Sequence, residues 1–84
     1  MDMPSKRGDH FLRRRQTIKS KLTARESEVL RWVANGRSAR EIGEILHITK
    51  RTVDEHVQTA VRKLDACNRT HAVAIALCEG VIKL

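Results

Sequence analysis

Apolar residues recur at helical spacing in four stretches of this chain, separated by polar residues of the kind that cap helices. Val29, Leu30, Val33 and Ala34 fall at steps of one, three and four, which puts them on one side of a helix. Ile42, Ile45 and Leu46 form a shorter second stripe, and Val53, Val57, Ala60, Val61 and Leu64 a third. The fourth stretch, Ala72-Val73-Ala74-Ile75-Ala76-Leu77-Cys78, is apolar all round.

The punctuation agrees with the periodicity. Thr23-Ala24-Arg25-Glu26 fits a capping box, with the Thr23 hydroxyl accepting from a first-turn N–H and Glu26 reaching back to the Thr23 N–H; Leu22 precedes it as an apolar staple. Asn35-Gly36 ends that helix, because glycine accepts the left-handed conformation that closes one. Ser38-Ala39-Arg40-Glu41 repeats the box, and the short helix it opens ends near Leu46 or His47. Thr49 then caps a third helix. Asp65-Ala66-Cys67-Asn68 is the next break, with Asn68 capping a fourth helix that runs from Arg69 to about Glu79 and stops at Gly80.

A four-helix domain of this size covers only one side of a terminal helix, so the fourth stretch predicts a second chain against its other side. At 100° per residue, Ala72, Val73, Ala76 and Leu77 cluster toward a core, while Ala74, Ile75 and Cys78 point toward a two-fold interface.

Eighty-four residues make one small core, and with one Trp, one Phe and no Tyr that core is aliphatic, which favours helices over a β-sandwich. The net charge of +7 and a pI near 10.3 call for an anionic partner, a nucleic acid or an acidic membrane. Most of the excess lies before Leu22: residues 1–21 carry seven basic and two acidic side chains, residues 22–84 ten and eight. That first segment, with Pro4 and Gly8, has no sustained period and reads as a flexible basic arm, although Phe11, Leu12 and Ile18 around Arg13-Arg14-Arg15 would also suit an induced helix. No apolar run approaches the roughly 20 residues of a membrane span and the N-terminus lacks the apolar centre of a signal peptide, so a cytoplasmic location is expected. Cys67 and Cys78 lack Cys-x-x-Cys spacing and are expected as thiols.

Enzymatic chemistry finds no footing. His56 has no Ser or Cys partner at a defined spacing, His10, His47, His56 and His71 include no pair at i and i+4 that would hold a metal, and neither paired acids nor a phosphate loop occurs. No catalytic residue, metal or cofactor is expected. Trp32 has no aromatic neighbour and is expected to be packed or partly exposed on the first helix, not to stack on single strands.

Lys50, Arg51, Asp54, Glu55, Gln58 and Arg62 fall off the apolar side of the third helix. Thr49, Lys50, Arg51 and Thr52 sit at its N-terminus, where free N–H groups and the positive dipole end favour a phosphate, and Ser38 and Arg40 are placed likewise on the second.

These residues resemble the LuxR-type DNA-binding domain, a four-helix helix-turn-helix module also found at the ends of FixJ- and NarL-type response regulators. The resemblance covers residues 22–82 without a gap and rests on Leu22-Thr23-x-Arg25-Glu26-x-Glu28-Val29-Leu30, the Gly36 turn, Glu41-Ile42-Gly43-x-Ile45-Leu46, Arg51-Thr52-Val53-x-x-His56-Val57, Arg62-Lys63-Leu64 and Asn68-Arg69-Thr70-x-Ala72-Val73. It implies an all-α bundle over 22–84 in which helix 50–64 enters the major groove and helix 69–79 pairs with its two-fold mate. The two recognition helices would then read half-sites about one DNA turn, roughly 34 Å, apart.

Angular position and the resemblance together put Asp54, Glu55 and Gln58 at base edges: Gln pairs with adenine, and a carboxylate accepts from cytosine N4. The chain departs from the family at Asp54, where a basic or neutral residue is usual; a first-turn acidic pair that merely complements the helix dipole is the plainer reading of Asp54 and Glu55. The resemblance makes His56 a packing or phosphate-contacting residue, and Arg62, Lys63 and Arg69 phosphate ligands or solvated charges. With only +2 on residues 22–84, the arm would supply much of the nonspecific attraction.

The expected function is that of a sequence-specific transcription regulator acting as a homodimer on double-stranded DNA at the bacterial nucleoid. The alternative is an interaction protein that pairs with a full-length LuxR-type regulator and blocks its DNA binding; RNA polymerase is a further possible partner. LuxR-type proteins usually append this module to a ligand-binding or phosphoryl-accepting domain. An initial Met fits a single-domain regulator, and an excised domain fits equally.

Overall fold

The computed structural model describes residues 22–84; the basic arm expected over 1–21 lies outside the described residues. Four helices follow one another: α1 (Ala24–Ala34), α2 (Ala39–Leu46), α3 (Lys50–Lys63) and α4 (Arg69–Cys78). Among the described residues there is no strand, and no helix is long and apolar enough to cross a membrane.

Each helix begins where its cap predicts. Thr23 Oγ1 accepts from the Glu26 N–H at 3.1 Å, and Glu26 Oε1 accepts from the Thr23 N–H at 3.0 Å. Ser38 and Glu41 repeat this reciprocal pair at 3.1 and 2.9 Å. Both boxes use the N–H groups that a helix start leaves without partners. Thr49 and Asn68 cap α3 and α4 by accepting from the Thr52 and His71 N–H groups. Gly36, at φ +88°, turns the chain after α1 as its sequence predicts.

The α2–α3 turn is tighter than its sequence announces. His47 closes α2 in the left-handed region at φ 61°, and the Ile48 N–H donates to the Gly43 carbonyl at 2.9 Å. Gly43 is glycine for a steric reason: a Cβ there would stand 2.6 Å from the Ile48 carbonyl oxygen. Removing that one carbon lets α2 seat directly on the turn that launches α3.

α3 packs against α1, α2 and α4, so its apolar side serves two core clusters. Val53 and Val57 join Val29, Ala39 and Ile42; Ala60 and Leu64 join Leu22, Leu30, Ala72, Ile75, Ala76 and Ile82. Trp32 is half-buried against the first of these.

The expected faces of α4 need correction. Ile75, assigned to the interface, is only 6% exposed and belongs to the core, whereas Leu77, assigned to the core, is 36% exposed. The buried stripe is Ala72, Ile75, Ala76 and Glu79, at i, i+3, i+4 and i+7. Glu79 disguised it, because a carboxylate at the helix end reads as solvent-facing although this one is buried. Val73 is half-buried, while Ala74, Leu77 and Cys78 face outward.

Candidate nucleic-acid interface

Because α3 buries Val53, Val57, Ala60 and Leu64, its opposite side is free, and Lys50, Arg51, Glu55, Gln58 and Arg62 are exposed there with Asp54 half-buried beside them. Gln58 and Arg62 line an open cleft of about 730 Å³ together with Asp54, Asn68 and Arg69, where the end of α3 meets the start of α4. The exposed row is thus continuous with a polar notch toward α4.

The N-termini of the helices differ in a way that matters for an anion. α1 and α2 carry Glu26 and Glu41 in their first turns, and both carboxylates are already held at the free N–H groups. α3 carries Thr52 at that position and has no acid in its first turn, only Lys50 and Arg51. Its positive dipole end therefore meets solvent without a carboxylate in the same turn. The Thr49 and Thr52 hydroxyls lie 2.9 Å apart at this end.

One turn further on, carboxylates do intervene. Lys50 Nζ donates to Asp54 Oδ2 at 2.9 Å, and Arg51 Nε lies 3.5 Å from Glu55 Oε2. On α2, Arg40 Nε lies 3.8 Å from Glu44 Oε2. All three pairs run base-then-acid along the helix, the less favourable order against the dipole, and all are solvent-exposed. Such pairs are each worth about 0–1 kcal/mol and exchange partners easily. A fourth contact crosses between helices: Arg69 Nη2 lies 3.9 Å from Asp54 Oδ1. No spacing rule links residues 54 and 69, so this junction has no local signature in the chain.

The expected phosphate contacts divide accordingly. Arg40, Lys50, Arg51, Arg62 and Arg69 are exposed, as are Ser38 and Thr49, with Thr52 half-buried behind them. Ser38 uses both its hydroxyl and its N–H in the α2 capping box. His56 is half-buried on α3. Lys63 is placed elsewhere: its Nζ donates to Glu26 Oε1 at 2.9 Å, tying the end of α3 to the start of α1. The carboxylate side chain is 8% exposed, a setting in which an ammonium partner is needed more than a phosphate contact.

Charge on the two capping acids follows from these contacts. Burial pushes the Glu26 carboxyl up, but the hydrogen bonds from Lys63 and Thr23 outweigh it and hold the group below the usual glutamate range. The Ser38 N–H lowers Glu41 likewise. Among the described residues no group of His, Cys, Asp and Glu is arranged to hold a metal ion, and Cys67 and Cys78 are free thiols.

Comparison with known proteins places this geometry. Residues 20–76 match the family described as bacterial regulatory proteins, luxR family. The chain is 60% identical over 63 residues to the transcriptional activator protein BjaR1 of Bradyrhizobium diazoefficiens, covering 75% of this chain and 26% of that protein. It is 56% identical over 66 residues to the HTH-type quorum sensing-dependent transcriptional regulator RpaR of Rhodopseudomonas palustris, covering 79% and 27%. The transcriptional activator protein SolR of Ralstonia nicotianae is 51% identical over 61 residues, covering 73% and 26%. The chain thus spans about a quarter of the length of the curated relatives it matches. Proteins of this family are DNA-binding regulators of transcription, not enzymes. The four capped helices, the tight α2–α3 turn and the match over residues 20–76 make this chain a member of the luxR family, carrying its helix-turn-helix DNA-binding domain.

Proposed function

We propose that this chain binds duplex DNA sequence-specifically, with α3 in the major groove and a second copy held against the exposed side of α4. The observation that carries the reading is the two-sidedness of α3: Val53, Val57, Ala60 and Leu64 fix it in the core, and its other side presents Lys50, Arg51, Glu55, Gln58 and Arg62 to solvent. Gln58 is the principal base reader, matched to adenine N6 and N7, and Glu55 accepts from cytosine N4. Thr49, Lys50, Arg51, Arg40, Arg62 and Arg69 contact phosphates and set the register of the helix in the groove. The proteins named above as activators and quorum-sensing regulators share with this chain only the segment that would do this work.

Selection of bound fragments from random duplex DNA tests the reading. A motif of two half-sites spaced by about one helical turn is expected, and Gln58→Ala should relax one position in each half-site by about 1–3 kcal/mol. Failure of the parent to enrich any motif would remove the function. Capture of a longer luxR-family protein in its place would favour a blocking role through α4.

A further inference from the structure

Asp54 is the one acidic side chain on the exposed side of α3 that is engaged from two helices. One oxygen accepts from Lys50 Nζ at 2.9 Å on its own helix, and the other lies 3.9 Å from Arg69 Nη2 at the start of α4. Arg62 and Asp65 line the same cleft, and Arg51 pairs with Glu55 on the same helix. A carboxylate that reads cytosine needs a free oxygen facing the groove, and both Asp54 oxygens face cations of the chain itself. Glu55 is more exposed, with its side chain 63% accessible against 36% for Asp54, and Gln58 is exposed on the same side of the helix.

We propose that Asp54 is an internal competitor for phosphate: it occupies Lys50 and Arg69 in the free protein, weakens DNA binding and its salt dependence, and leaves base reading to Gln58 and Glu55. The inference rests on the DNA-binding reading above. When Lys50 or Arg69 exchanges Asp54 for a phosphate, the DNA releases a condensed counterion, but the abandoned carboxylate takes a cation from solution. The two ion movements oppose each other, so each such contact adds less than the usual value of about 0.9 to the slope of log affinity against log salt. With the carboxylate gone, the two cations are free and each contact releases its full share.

The test measures affinity for the selected operator between 50 and 200 mM salt, on the parent, Asp54→Asn, Asp54→Glu and Asp54→Asn/Arg69→Ala, with circular dichroism to confirm folding. Asp54→Asn is expected to enrich the parent's motif, bind more tightly at low salt and steepen the slope by up to about 0.9, a further loss of up to about 3.5-fold across that salt range. Adding Arg69→Ala should lower the slope again by about 0.9, and Asp54→Glu, which keeps the charge, should retain the parent's slope. A changed base preference in Asp54→Asn, or a slope equal to or shallower than the parent's, overturns the proposal while leaving the DNA-binding reading intact. If the parent enriches no motif, it is that reading which fails.

Discussion

Lys63 lies beside Arg62 in the chain, yet the two serve different ends. Arg62 is exposed in the cleft, whereas the Lys63 ammonium holds the partly buried Glu26 carboxylate, which also caps α1. The pairing has a pH signature. A carboxylate held below its ordinary value stabilises the fold above that value, 4.5 for glutamate, and the contribution disappears as the pH falls through the lowered folded value. Lys63→Met should therefore destabilise the domain by about 1–3 kcal/mol at neutral pH, because Glu26 loses a charged partner while its site stays largely closed to water. Thermal melts of parent and variant should converge as the pH drops below 4.5; a gap that stays constant would assign the loss to packing of the lysine stem instead. The sequence left Lys63 as a phosphate ligand or a solvated charge, and the approach of α1 to the end of α3 gives it a different role, as the partner of Glu26.

At the level of the helices, the caps were legible because they are local. Thr23–Glu26, Ser38–Glu41, Thr49 and Asn68 each act within four residues, so the start of every helix followed from residue type and spacing. Gly43 was not legible in this way, since its requirement comes from the carbonyl of Ile48 across the turn. Gly43→Ala improves helix propensity by about 1 kcal/mol, but a Cβ 2.6 Å from backbone forces α2 away from the turn. The overpacking is expected to win, with a net loss of about 1–3 kcal/mol in chemical denaturation. A more stable variant would mean that the turn yields without strain. The faces of α4 failed for a related reason: two arcs of its apolar run are nearly equivalent on a helical wheel, and burial of Glu79 selects the one containing Ile75.

In the molecule as a whole, α3 shares with α1 a place in both core clusters and packs against α1, α2 and α4, so its exposed side is positioned by contacts with all three other helices. The corrected face of α4 redirects the test of pairing. Leu77→Glu should leave stability within about 0.5 kcal/mol and abolish dimers in sedimentation, whereas Ile75→Ala should cost about 2–5 kcal/mol from the core at any protein concentration. Dimers that survive Leu77→Glu would rule out the α4 face. The sequence by itself determined the all-helical class, the four helix starts and the polar row of α3, because capping and amphipathic periodicity act over one or two turns. Tertiary structure alone decided that Lys63 faces Glu26, that Asp54 joins Lys50 to Arg69, and that Ile75 is core while Leu77 is surface. Each of these depends on residues far apart in the chain meeting across helices, where packing geometry and desolvation, not spacing, choose the partner.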